Sequence, residues 1–218
     1  MARRIRALTP ERVDDLPDMC ACCALWESEL AGEPLCAGVQ DRERLVAWIS
    51  TVRSEWGECG GIAYEDGEVL GFVKYALPRY FPNVRTMPSG VPDKDAVLLA
   101  CLRVSGDARH AGLGKLLLQA VLRDLTSRGE KVIEAYAAAD ALDREHTPLT
   151  SVEFLLRQGF TVTRPHPRYP LMRLELKSLA AWTDNLEAVL EALQLPRRVA
   201  ERVPASLSAS GAGNDSRT

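Results

Sequence analysis

The chain lacks a charge imbalance: 27 Lys and Arg against 30 Asp and Glu leave a formal net charge of -3 and a pI near 5.7. No global field draws in nucleic acid, and no basic stripe interleaved with aromatics is present, so DNA and tRNA are not expected partners. No apolar run approaches membrane-spanning length. The basic start Met1-Ala2-Arg3-Arg4-Ile5-Arg6 is not followed by an apolar signal core, so the expectation is a cytoplasmic protein without a membrane partner. Internal repeats are absent. Lysine is scarce, with only residues 74, 94, 115, 131 and 177 among the 27 basic residues, and this arginine preference hints at a GC-rich bacterial source. The six cysteines lack the second paired knuckle that makes a zinc site convincing; in a cytosolic chain they argue for free thiols or a metal before disulfides.

What is present suits an ordinary globular protein with 46% hydrophobic and 26% charged residues, enough for one good core. Arg4 to Leu8 reads as an edge strand, and Thr9-Pro10-Glu11 opens a short helix with Thr9 as cap. A cysteine-rich loop containing Cys20, Cys22, Cys23 and Cys36 follows to about residue 40, where Asp41 caps a helix with Leu45, Trp48, Ile49 and Val52 on one face. Residues 62–70 read as a hairpin turning at Asp66-Gly67. The next strand ends near Ala76, and residues 78–95, with four prolines, form a long irregular loop. Beyond an apolar run at 96–102 and a periodic helix, a strand is expected at 131–137, a helix at 149–158, and strands at 160–164 and 169–176. Asp184 and Glu187 form a capping box opening an amphipathic helix, set at 179–195 in outline, which packs on the core or makes a dimer contact. The polar, aperiodic stretch 204–218 is expected to be a disordered tail.

Arg109-His110-Ala111-Gly112-Leu113-Gly114 is the most informative stretch. It joins the wholly apolar Ala96-Val97-Leu98-Leu99-Ala100-Cys101-Leu102 to a helix whose stripe is Leu113, Leu117, Val121 and Leu125, stopped by Gly129. A strand entering a helix through small residues leaves the first helical amides free, which suits an anion such as phosphate. Spacing excludes two better-known loops. Lys115 is followed by Leu116 where a P-loop has Ser or Thr, and the third glycine of a dinucleotide fingerprint would fall on Leu117.

This pattern, Arg/Gln-x-x-Gly-x-Gly/Ala after an apolar strand, resembles the acyl-CoA pyrophosphate loop of the GNAT superfamily of N-acyltransferases. Leu102-x-Val104 stands where that superfamily's fourth strand offers backbone groups to the pantetheine arm, and Phe154 to Phe160 looks like its helix ending in Gly-Phe. The resemblance covers about residues 43–176 and is most specific over 96–160. It implies an α/β (α+β) fold in one domain over 1–178: a mixed, mostly antiparallel sheet flanked by helices, with a parallel strand-helix-strand crossover at the acyl-CoA site. The implied reaction moves an acetyl group from acetyl-CoA, as co-substrate, to a primary amine of a small molecule or protein, with no metal expected. Cofactor contacts then fall on Leu102, Arg103, Val104, Arg109, His110, Ala111, Gly112, Leu113, Gly114 and Lys115.

The acid and base depart from the family pattern. The position of the tyrosine that serves as acid is Leu155, and the upstream asparagine falls near Pro148. His146, Tyr136 or solvent remain as proton sources, and Glu134, Glu27 and Asp95 as candidate bases; His166, between prolines, reads as structural. In the resembled fold Trp26 and Glu27 are expected at the acceptor pocket, with Tyr80, Phe81 and Arg85 of the 78–95 loop on its opposite wall. The cysteines near residue 20 stay open between packed thiols, a share in a zinc site with Cys36, and acceptor recognition. A competing reading keeps the fold and drops turnover: a non-catalytic acyl-CoA-binding or thiol/zinc regulatory module, kept open by Leu155. A homodimer is open.

Overall fold

The computed structural model describes residues 3–28, 42–105, 112–139 and 149–176, all within one compact unit, Met1–Ala181. Asp41, Cys36, the loop residues Arg109, His110 and Ala111, His146, the helix expected from Asp184 and the tail from 204 lie outside the described residues. Strand β1 (Arg3–Ala7) leads into a 3-10 turn at Pro10–Asp15, a short α1 (Asp18–Ala21) and α2 (Arg42–Glu55). The hairpin β2 (Gly60–Glu65) and β3 (Glu68–Ala76) turns at Asp66-Gly67, both at positive φ, +52° and +95°, as a tight primed turn requires. There follow β4 (Val97–Val104), α3 (Leu113–Ser127), β5 (Val132–Ala138), β6 (Thr150–Ser151), α4 (Val152–Arg157), β7 (Thr161–Arg164) and β8 (Leu171–Glu175).

The strands form one sheet in the order β1-β2-β3-β4-β5-β8-β7, antiparallel except where β4 and β6 run parallel to β5. Apolar side chains cover both faces. One face packs Leu45, Trp48, Ile49 and Val52 of α2 together with Trp26 and Phe81; the other packs Leu113, Leu117, Leu118, Val121 and Leu125 of α3 with Leu155 of α4. Each such buried side chain contributes roughly 1.5–3 kcal/mol. α3 thus forms the strand-helix-strand crossover that parallel neighbours need and carries β5 back beside β4.

Three expectations are corrected. The proline-rich loop is not irregular surface: two 3-10 turns, Pro78–Tyr80 and Pro82–Thr86, bury Phe81 and Val84, Met87 follows them inward, and Asn83 Nδ2 donates to the Leu25 carbonyl at 2.8 Å. The helix expected from 149 begins at Val152, because Thr150 and Ser151 pair with Ala137 and Ala138, and Ser151 then caps it by accepting from Phe154 N at 3.1 Å. Thr9 makes no side-chain cap to the 3-10 turn that follows it.

Candidate functional site

The parallel pairing of β4 with β5 is short. Val97 faces Ile133 and Leu98 faces Glu134; beyond them β4 continues to Val104 paired with β3 alone. The cause lies in the β3–β4 register, which passes from Tyr75↔Leu99 to Lys74↔Cys101 and leaves Ala100 as an extra residue. Such a bulge bends its strand and puts two successive side chains on one face. Ala100 and Cys101 accordingly both join the α2-side core, whereas Leu99 and Leu102 belong to the α3 side. From Leu99 onward the β4 edge facing β5 has backbone groups outside the sheet ladder, and a wedge opens between the strands. One edge of β5 is taken by β8, so β6 occupies the other, and Thr150-Ser151 line the β5 wall of the wedge.

α3 begins beside this opening. Gly112 stands at its N-terminus with φ +73°, a conformation glycine adopts freely, and no side chain caps the helix. Leu116 N reaches the Gly112 carbonyl at 3.1 Å, so the amides of Leu113, Gly114 and Lys115 in the first turn have no intrahelical acceptor. Acidic residues are absent from that turn and Lys115 is exposed in it. A Cβ on Gly114 would stand 3.4 Å from the Phe154 ring and 3.7 Å from Leu102 Cδ2, which seats the helix start directly against β4 and α4. The half-buried Leu102, Arg103 and Val104 complete this wall. A helix start without a side-chain cap, at the positive end of its dipole and next to a strand edge outside the sheet ladder, fits an extended ligand carrying phosphate at one end. That is the shape and charge of coenzyme A.

On the other face, residues 26 and 27 cross the splayed half of β4. Trp26 stacks on Tyr136 of β5 with centroids 5.7 Å apart and meets Phe81 edge-on at 6.4 Å. Glu27 reaches β3 instead, where Lys74 Nζ donates to its Oε1 at 2.6 Å. Both side chains of this ion pair are buried, at 4% and 1% exposure. Burial alone would push the Lys74 ammonium down, but the Glu27 carboxylate outweighs it and holds the lysine above its ordinary value. Lys74 Nζ also lies 5.4 Å from the centre of the Trp48 ring.

The residues singled out from sequence divide by their partners. Glu134 is buried and fully engaged: Asp93 N donates to Oε2 at 2.9 Å and Arg173 to Oε1 at 3.1 Å. Tyr136 donates its hydroxyl to the Gly90 carbonyl at 2.6 Å, and burial pushes that phenol up. Asp95 is exposed on the approach to β4, and the ring of His166 accepts from Tyr169 N at 3.0 Å within its own turn. Trp26 and Phe81, expected at the acceptor pocket, stand in the core at 0% exposure; Tyr80 is half-buried, with its hydroxyl donated to Glu55 at 3.1 Å. Leu155, at the position of the missing acid, is wholly inside the α3-side core. Glu27 differs from all of these, since Oε2 is buried without a hydrogen-bond partner, as is the neighbouring Trp26 Nε1. The residue missed by sequence reasoning is Lys74, whose signal was a single charge inside Gly71-Phe72-Val73-Lys74-Tyr75-Ala76, a strand otherwise apolar.

Among the described residues no group of three or more His, Cys, Asp and Glu is arranged to hold a metal, and no helix is long and apolar enough to cross a membrane. Cys20, Cys22 and Cys23 are half-buried free thiols, and Cys59 and Cys101 are buried ones.

Solved structures share this architecture. The PaiA N-acetyltransferase of Thermoplasma acidophilum, in complex with coenzyme A, superposes with a TM-score of 0.56 at 16% identity, covering 80% of this chain and 99% of that one. The putative acetyltransferase yncA of Salmonella typhimurium, with its cofactor acetyl-CoA, gives 0.56 at 17% identity over 81% and 95% of the two chains. The ribosomal-protein-alanine N-acetyltransferase of Brucella melitensis gives 0.54 at 17% identity over 79% and 99%. At such identities the likeness is one of fold. No protein of curated function matches the chain. The family model for the GNAT acetyltransferases, however, matches residues 17–160, a span that holds the wedge, the bulged strand and the uncapped helix alike, and the chain belongs to that family.

Proposed function

We propose that the protein is an acyl-CoA-dependent N-acyltransferase that moves an acetyl group from acetyl-CoA to a primary amine of a small molecule or a protein. The observation that carries this reading is the meeting, at Gly114 and Leu102, of an uncapped helix start with the free edge of a strand that has splayed away from its parallel neighbour. The amides of residues 113–115, with Lys115 and the loop residues Arg109, His110 and Ala111, take the pyrophosphate. The Leu102–Val104 edge takes the pantetheine arm, whose length brings the thioester into the wedge. There a backbone amide of β4 near the bulge faces the carbonyl oxygen on which negative charge develops.

The thioester supplies an activated acyl carbon, and the chain's own groups handle the protons. Leu155 donates none, and the Tyr136 proton is given to Gly90, so the departing sulfur takes the proton shed by the newly acylated nitrogen, or one from solvent. The free thiols among the described cysteines suit a reducing compartment and support a cytoplasmic setting. The apolar Leu155 favours one second reading, an acyl-CoA-binding module without turnover.

A single assay separates these readings. The protein is incubated with acetyl-CoA and tyramine, spermidine, alanine amide or a peptide with a free N-terminal alanine, and acetylated product is read by mass spectrometry, because the protein's own thiols would react with a thiol reagent. Product above the uncatalysed rate is expected with at least one amine. Binding of acetyl-CoA with no product would replace the transferase reading by the binding module.

A further inference from the structure

We propose that Lys74 is a positioning residue for acyl transfer: it fixes one oxygen of Glu27, so that the other, Oε2, is the proton acceptor for the incoming ammonium at the wedge. The inference rests on the transferase reading and adds to it the identity of the base and the group that orients it.

Geometry separates Glu27 from the other candidate bases. A base must have an oxygen to spare, and both oxygens of Glu134 accept from protein donors whereas one oxygen of Glu27 does not. A buried carboxylate oxygen left without a donor is costly, and a fold that keeps one has a use for it or fills it with a ligand. Position agrees. Lys74 stands opposite Cys101 in register, one residue past the Ala100 bulge, and Trp26, the residue before Glu27, lies against Tyr136 on β5. Trp26 on the β5 side and Glu27 on the β3 side therefore carry this segment across β4, on the face opposite the uncapped start of α3. A thioester entering from the α3 side and an amine entering from the Glu27 side would meet at the bulge.

Thiols surround the ion pair. The titratable groups facing the pair are Cys101 from β4 and Cys59 before β2, near both partners, and Cys20 and Cys23 from α1 and the turn after it, near Lys74, with Arg103 near Cys20. Burial pushes the thiols of Cys59 and Cys101 up to about 12 and that of Cys20 upward, so they remain neutral, while Lys74 remains cationic. In the step, Glu27 Oε2 takes one proton from the acceptor ammonium, directly or through one water, leaving a neutral amine with a lone pair. That pair forms the C–N bond to the acyl carbon as the C–S bond breaks, and the second nitrogen proton passes to the departing thiolate. Glu27 then returns its proton to solvent.

The test compares Lys74→Met, Lys74→Arg, Glu27→Gln and the double variant Lys74→Met/Glu27→Gln, using acetyl-CoA and whichever of the four amines above gives product. The double variant removes both buried charges together and so guards against simple unfolding of a single one. Glu27→Gln is expected to lower kcat/KM about 100-fold or more. Lys74→Met should lower kcat about tenfold with KM for acetyl-CoA unchanged, since Glu27 loses the group that orients it while the cofactor site is untouched. Lys74→Arg should recover most of the rate, and the double variant should be no slower than Glu27→Gln, the mark of residues acting as one unit. A folded Lys74→Met enzyme with the parent's kcat, or a double variant whose losses multiply, overturns the proposal while leaving the transferase reading intact. If the parent acetylates none of the amines, both fall together.

Discussion

Replacing Gly112 by tryptophan should abolish acetyl-CoA binding for a reason that can be separated from strain. Gly112 and Gly129 bracket α3 with nearly the same backbone, φ +73° and +75°, and a Cβ added at either meets no atom of the described residues within 4 Å. A non-glycine residue in this conformation costs about 1–2 kcal/mol, and for a domain of this size each kcal/mol lowers the melting temperature by roughly 2–4 °C. Gly112→Trp and Gly129→Trp should therefore both melt roughly 2–8 °C below the parent, and by similar amounts. Ligand separates them. If acetyl-CoA binds in the low micromolar range, about 1 mM of it is on the order of 100 times Kd and stabilises the folded state by about 2.7 kcal/mol. That is a rise of roughly 5–11 °C, read by calorimetry so that the added indole does not disturb the signal. Gly129→Trp should show the whole rise. Gly112→Trp should show little of it, because an indole at the helix start holds the pyrophosphate away from the amides of residues 113–115. Equal rises in the two variants, or none in a well-folded parent, would refute the placement of the cofactor at this helix.

Glu134→Gln and Tyr136→Phe should lose stability, about 1–3 kcal/mol for the first and about 1 kcal/mol for the second in urea unfolding, yet keep kcat/KM within about threefold, because their polar atoms are committed to Asp93, Arg173 and Gly90; a loss near 100-fold for either would return it to the role of base or acid. Stability should fall as pH rises above about 9. The Cys59 and Cys101 thiols are pushed up to about 12 by burial, so the folded state binds their protons more tightly than the unfolded chain does; the resulting stability is complete below about 9 and is lost as pH rises towards about 12, and a urea midpoint flat from pH 7 to 11 would contradict it. Gly60→Ala should be strongly damaging, since its Cβ would sit 2.5 Å from the Val73 carbonyl and 2.8 Å from Leu8 Cδ2, whereas Gly67→Ala meets nothing among the described residues within 4 Å. A cost above about 2 kcal/mol for the first and about 1 kcal/mol for the second is expected from overpacking and turn strain respectively, measured by chemical unfolding.

Elements set by neighbours in sequence were legible from the chain. The four-residue spacing of Leu113, Leu117, Val121 and Leu125, the stop at Gly129 and the Asp66-Gly67 turn act within a few residues, so local propensity and periodicity decide them. The uncapped, glycine-led start of α3 belongs to the same class and pointed to the family. Tertiary structure decided the rest. The bulge at Ala100 follows from register against β3, and the pairing of Thr150-Ser151 with β5 overrides a helical pattern because an open strand edge is available. Glu27 and Lys74 meet across 47 residues of chain, and Trp26 and Phe81, read from sequence as acceptor-pocket residues, are buried where the proline-rich loop folds inward. Alternation along a strand tells which residues share a face, but not which face a distant segment will cover, nor where one extra residue will splay a pair of strands. Those depend on contacts whose partners the local sequence does not name.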